Sequence, residues 1–158
     1  MWEDVRFPEG YLYEDTILQY LIETRFSGLQ VSDNGYWYRH RDFSISHVGS
    51  GNIRSIDTYW ILEEMIQEAE TMNIPLRDVY ELTVRQCCAS VFGRRQQFDK
   101  QWIPVIFAAC ADFLDQLQNG NDDLVLTSDL SKDMEESLKT RNYRLWNLAG
   151  YFEIVNTL

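Results

Sequence analysis

The two histidines are the side chains in this sequence best suited to acid–base or metal chemistry. His40 and His47 are separated by seven positions in a segment that alternates apolar and polar residues. On one strand with a two-residue period, that spacing places the two rings on opposite faces. A turn between them would be needed before they could act together as acid and base. We therefore predict no shared metal ion and no catalytic residue.

Carboxylates suggest a second kind of chemistry. Glu63, Glu64 and Glu68 lie close together on one predicted helix, and Asp112 and Asp115 are three positions apart on another. Two acidic helices facing each other across a core can hold divalent metal ions, so a small metal-dependent nucleotide hydrolase is one alternative. The simpler interpretation is a solvated face, because the three glutamates lie away from the apolar stripe of their helix. No metal site and no cofactor are predicted.

The three cysteines are predicted to be reduced core thiols. Cys87 and Cys88 are adjacent, Cys110 lies in another apolar segment, and an odd number of cysteines cannot pair completely within one chain. A thiol on an apolar stripe is weakly acidic and unreactive. Reduced cysteines are typical of proteins that stay in the cell, so we predict a cytoplasmic location.

The chain also shows no sequence pattern typical of export or membrane insertion. The segment from Met1 to Arg6 lacks the basic start and apolar centre of a secretory signal. The longest nearly continuous apolar stretch runs from Trp102 to Ala111, well short of the roughly 20 residues that a membrane span requires. We therefore predict no membrane contact.

Apolar residues at three- and four-residue spacing predict about five helices. The predicted helices run from Glu14 to Phe26, from Ile56 to Met72, from Pro75 to Gly93, from Trp102 or Ile103 to about Leu117, and from a cap at Ser128 or Ser131 through Leu148. The fourth helix is apolar on nearly all sides, so we predict that it is central. The tail from Tyr151 to Leu158 is compatible with a strand or a helix.

A short sheet is predicted between the first two helices. Asn34 and Gly35 form a pair that favours a tight hairpin turn, and aromatic and β-branched residues flank it. We predict a small antiparallel β-meander near residues 28-48, from about Gly28 to Val48. The predicted fold class is α+β, mostly α, in a single globular domain over residues 1–158.

Charge is the strongest global signal. The chain has 25 Asp and Glu residues against 14 Lys and Arg, which gives a formal net charge of −11. The excess is clustered: the stretch from Asp57 to Glu81 contains one basic residue, Arg77, and the stretch from Asp112 to Glu136 contains one, Lys132. A surface with this sign excludes nucleic acid as a direct ligand, because a polyanion needs compensating cations.

Clustered carboxylates and exposed aromatic residues suit a basic protein partner. We therefore predict that the chain is not an enzyme but an acidic inhibitor, a bacterial immunity protein that occludes a cognate nuclease toxin. The predicted partner-binding residues are Asp57, Glu64, Glu68, Asp122, Asp123 and Trp37.

Two further functions are compatible with the same composition. A protein that imitates nucleic acid to block a defence enzyme should carry two rows of carboxylates along an elongated body. An adaptor subunit should keep apolar patches exposed after folding. The sequence is also compatible with a homo-oligomer.

Overall fold

Helices make up most of the described structure. The computed structural model describes residues 7–18, 24, 35, 53–94 and 97–157. The long helices are α1 (Asp57–Thr71), α2 (Leu76–Arg94), α3 (Ile103–Gln118), α4 (Asp129–Lys139) and α5 (Tyr143–Thr157). Short 3-10 helices, Ile53–Ile56 and Lys100–Trp102, precede α1 and α3.

The predicted α+β class is wrong for this part of the chain, which is 72% helical and contains no β-strand. The physical reason is that the helices cover one another: α1 packs on α2, α3 on α4, and α5 on both α2 and α4. A core closed in this way needs no sheet layer. An Asn-Gly pair favours a turn, but it does not decide whether the flanking residues pair as strands. Apart from Gly35, the predicted meander at 28–48 lies outside the described residues.

Helix α2 is central, because it contacts each of the other four long helices. Six of its described residues are fully buried: Val79, Tyr80, Thr83, Val84, Cys87 and Cys88. Helix α3, predicted to be central, contacts α2 and α4 but leaves Val105, Ala108 and Asp112 exposed. An apolar composition shows which residues can be buried, but it does not show which faces the neighbouring helices reach.

Three predicted helix starts are confirmed. Pro104 lies in the first turn of α3, and α2 starts directly after Pro75. Proline fits these places because its missing N–H would have no helical acceptor there. Ser128 is the N-cap of α4, where its side chain accepts a hydrogen bond from the backbone of Ser131.

The last predicted helix is two helices. Arg141 adopts a left-handed backbone conformation, with φ of 53°, between α4 and α5. The amides of Arg141 and Asn142 donate to the carbonyls of Leu138 and Ser137, a Schellman ending. The Asn142 side chain then accepts a hydrogen bond from Leu145 N at 3.1 Å, which caps α5. The chain therefore turns back, and the tail continues as helix to Thr157.

Candidate protein-binding surface on helix α1

The outward side of α1 combines an exposed indole with carboxylates. Trp60 is 42% exposed, although tryptophan is usually well covered. Glu63 and Glu64 follow it by three and four positions, so they lie one turn away on the same side of the helix. Glu68 lies one turn beyond Glu64. We call Trp60, Glu63, Glu64 and Glu68 the α1 surface.

Trp60 is held in place by its neighbour in the chain. Its ring lies 5.2 Å from the ring of Tyr59 in an edge-to-face arrangement. Tyr59 is buried and packs in turn against Phe113 of α3, with ring centroids 6.3 Å apart. The Tyr59 hydroxyl donates to Glu63 Oε1 at 2.6 Å. An indole fixed in this way loses little conformational freedom when a partner covers it.

The carboxylates of the α1 surface are poorly compensated. The α1 segment contains no lysine or arginine. Glu64 and Glu68 are half-buried, and neither side chain takes part in an ion pair among the described residues. Helix α1 itself therefore supplies no cation to these carboxylates.

Asp57, the first residue of α1 and a predicted partner-binding residue, makes contacts within the fold, and its binding of a partner stays a prediction. It is only 8% exposed, and its Oδ2 accepts hydrogen bonds from Leu12 N at 2.9 Å and from Arg54 at 3.1 Å. Arg54 also donates to the carbonyl of Gly10. The Asp57 carboxylate thus attaches the segment at residues 7–18 to the start of α1, and little of it is left for a partner.

Asp122 and Asp123 are exposed, but they lie on another element, the loop between α3 and α4. Asp122 lines an open cleft with a volume of about 420 Å³ that Lys132, Glu135 and Lys139 also line. Lys139 pairs with Glu135 at 2.9 Å. The cleft is therefore mixed in charge, in contrast to the α1 surface. That these two aspartates bind a partner remains a prediction.

Glu135 is already occupied by groups from the fold. Its Oε1 accepts hydrogen bonds from the Tyr80 hydroxyl at 2.5 Å and from Gln118 Nε2 at 2.8 Å. Burial, together with this carboxylate, raises the pKa of Tyr80. These bonds join α2, α3 and α4 beneath the cleft, so the Glu135 side chain is part of the structure rather than a free ligand.

The predicted side chains Trp37, His40 and His47 lie outside the described residues. Among the residues that are described, no three His, Cys, Asp or Glu side chains gather as a metal site would require. Asp112 and Asp115, the acidic pair of the hydrolase alternative, both bind Arg141, at 2.8 and 2.6 Å. One cation of the chain itself, Arg141, is thus shared between the two carboxylates.

The three cysteines are free and buried. Burial raises the pKa of Cys88 well above its ordinary value. A hydrogen bond with Cys87 and burial likewise raise the pKa of Cys110. Both thiols are therefore protonated at neutral pH and are poor nucleophiles, as the sequence predicted.

Sequence reasoning missed Trp60. The signal was present, because Trp60 lies off the apolar stripe of its helix and one turn before two glutamates. A tryptophan within a long amphipathic helix is easily assigned to the core. Its exposure depends on which neighbouring helices reach that side of α1.

Comparison of the chain with known proteins finds no relative. No protein-family model matches the chain, and no curated protein or solved structure shows significant similarity to it. Within the described ranges, no helix has both the length and the apolar character needed to cross a membrane.

Proposed function

We propose that this protein is an acidic inhibitor whose α1 surface docks on a basic protein. The observation that carries the proposal is Trp60, exposed and packed edge-to-face on Tyr59, beside carboxylates on a helix without a basic residue. Tryptophan is enriched among the residues that dominate binding energy at interfaces. Glu64 and Glu68 supply the charge that selects a cationic partner.

The overall charge supports the same partner class. A chain with a net charge of −11 attracts basic proteins at long range, and such steering raises association rates at low salt. An enzyme that acts on nucleic acid needs a cationic groove for the phosphate backbone. We propose that the α1 surface covers such a groove, which makes the chain a bacterial immunity protein against a nuclease toxin.

A cytoplasmic location is part of this proposal. A nuclease toxin harms a cell where its nucleic acid lies, so an inhibitor must act in the same compartment. Free buried thiols are compatible with a reducing compartment.

The imitation of nucleic acid is less well supported. That function needs two continuous rows of carboxylates, but the second acidic region of the chain includes Lys132 and Lys139 beside its cleft. The α1 surface is a single local patch, which suits an inhibitor that occludes one groove.

The test is to capture partners on the immobilised chain from a lysate of its native host at about 0.05 M salt, where surface charges are weakly screened. We expect a basic protein that elutes at high salt and has nuclease activity, and equimolar addition of the wild-type chain should abolish that activity. The variant Glu64→Gln/Glu68→Gln should bind this protein at least about tenfold more weakly.

The matched control is Asp133→Asn/Glu136→Gln, which removes the same charge from exposed positions on α4. It should bind like the wild type. Equal losses of affinity in both variants would show that binding depends on net charge and not on the α1 surface, which would contradict the proposal. A captured nuclease that remains active in the complex would contradict it as well.

A further inference from the structure

Helix α5 presents an apolar stripe to solvent. Leu148, Tyr151, Phe152 and Val155 are between 47% and 54% exposed. Their spacing of three, four and seven positions places them on one side of the helix. The rings of Tyr151 and Phe152 lie 6.2 Å apart. We call these four residues the α5 stripe.

The opposite side of α5 is already committed to the core. Trp146 and Ala149 are buried where α5 packs on α2 and α4. The Trp146 indole donates to the carbonyl of Cys87 at 3.3 Å. The α5 stripe is therefore a second apolar side of the same helix, and a helix that is apolar on two sides is typically covered on both.

The charges on α5 indicate what kind of molecule can cover the α5 stripe. The α5 segment contains two charged residues, Arg144 and Glu153. Glu153 faces inward, where its Oε1 accepts from Arg85 Nε at 3.0 Å and from the second guanidinium nitrogen at 2.6 Å. Arg144 is exposed and lies one turn before Leu148, in line with the stripe. The outward side of α5 thus carries a positive charge in a strongly negative chain.

We propose that a second copy of this chain docks on the α5 stripe, with the two α5 helices antiparallel about a twofold axis between Tyr151 and Phe152. Copies of a chain with a net charge of −11 repel each other over most of their surfaces, whereas the one carboxylate within Tyr143–Thr157, that of Glu153, is buried. A twofold contact pairs each apolar side chain with the stripe of the other copy.

The antiparallel direction follows from Arg144. In that arrangement the Arg144 side chain of one copy approaches the C-terminal end of α5 in the other. The last turn of α5 contains no basic residue. Arg144 then meets no other cation, whereas the parallel arrangement would bring the two arginines together.

The dimer and the proposed inhibitor contact respond to salt in opposite ways. Salt screens the repulsion between two acidic chains, so it strengthens an apolar dimer. Salt weakens the association of the α1 surface with a basic protein. A single helix pair lies at the small end of stable interfaces, so we expect a dissociation constant of the order of 1–100 µM.

The test is to measure the mass of the purified chain by analytical ultracentrifugation from about 1 to about 200 µM, at about 0.05 M and about 0.5 M NaCl. The average mass should rise with concentration toward that of a dimer, and it should rise further at the higher salt. Phe152→Glu should shift the dissociation constant at least about tenfold higher. Arg144→Glu, at an exposed position that cannot disturb the core, should also weaken the dimer.

Val125→Glu is the matched control, because it places a charge on an exposed apolar residue of the α3–α4 loop. It should dimerise like the wild type. Tyr151→Cys should be joined to a second copy by a short bis-maleimide, since the three native thiols are buried. A wild-type chain that stays monomeric at the highest concentration and salt would overturn the proposal, as would a Phe152→Glu variant that dimerises normally.

Discussion

Glu81 of α2 accepts hydrogen bonds from both the backbone and the side chain of Thr127, 46 positions later in the chain. Thr127 N and Oγ1 lie 3.0 and 2.6 Å from Glu81 Oε2. Ser128 N lies 3.0 Å from Glu81 Oε1. One carboxylate thus fixes the end of the loop that carries Asp122 and Asp123, directly before α4 begins.

Replacing Glu81 with Gln should destabilise the fold. The glutamine side chain keeps one acceptor oxygen, but its NH₂ group replaces the other. One backbone N–H of Thr127 or Ser128 would then lack an acceptor. We expect a loss of about 1 kcal/mol at pH 7, comparable to the loss of a helix cap, measured by urea unfolding. Glu136→Gln, at an exposed position on α4, should unfold like the wild type.

The same carboxylate makes stability depend on pH. Partial burial tends to raise the pKa of Glu81, but the hydrogen bonds from Thr127 and Ser128 outweigh it and lower the pKa to about 2. Because the folded-state pKa lies below the unfolded value, the stabilisation is complete above about pH 4.5 and disappears as the pH falls toward 2. The difference between wild type and Glu81→Gln should therefore shrink over that range. A difference that is constant from pH 7 to pH 2 would show that Glu81 is not held as described.

The pair of Arg85 and Glu153 should stabilise the contact between α2 and α5. Glu153 is buried, so Arg85→Met leaves a carboxylate without its guanidinium partner inside the fold. We expect a loss of about 2 kcal/mol in unfolding free energy, less than for a fully buried pair because Arg85 is partly exposed. Arg85→Met/Glu153→Met should recover part of that loss. Additive losses would indicate that the two side chains do not interact.

Two tryptophans should differ sharply in their effect on stability. Trp146 is fully buried, and Trp146→Ala should cost about 3–5 kcal/mol because it leaves a large cavity beside α2 and α4. Trp60→Ala should cost less than about 1 kcal/mol, since much of the Trp60 side chain is already in water. Thermal unfolding followed by circular dichroism measures both. A large loss from Trp60→Ala would mean that its indole has a structural role, against the α1 surface.

The left-handed residue between α4 and α5, Arg141, offers a further test. Arg141→Val places a β-branched side chain at a φ of 53°, where crowding against the backbone is severe, and should cost about 2 kcal/mol. Arg141→Gly should unfold close to the wild type, because relief of the backbone offsets the loss of exposed ion pairs with Asp112 and Asp115. If both variants lose equally, the ion pairs rather than the backbone determine stability here.

Local chemistry in the sequence predicted several helix boundaries well. Proline is excluded from most positions of a helix, so Pro75 and Pro104 each indicate a helix start. Ser128 was one of two predicted caps, the other being Ser131. The end of α4 was missed because glycine usually occupies the left-handed position and here it is Arg141. Asn142 before an apolar segment was a usable cap signal for α5.

The candidate site was harder to predict, because burial depends on residues far away in the chain. Asp57 resembles any other carboxylate on an acidic helix until Leu12, 45 positions earlier, donates to it. Exposure of Trp60 and of the α5 stripe likewise depends on which helix sides are neighbours. The spacing of residues along one helix predicts which of them share a side. It does not predict whether that side packs against another helix or faces solvent.

Every other long helix of the described structure rests on α2. Detachment of any one of them would therefore expose buried side chains of α2 to water. Partial unfolding thus costs free energy whichever helix detaches first. This arrangement favours a single cooperative melting transition, in which the backbone amides in the middle of α2 are the last to exchange with deuterated solvent.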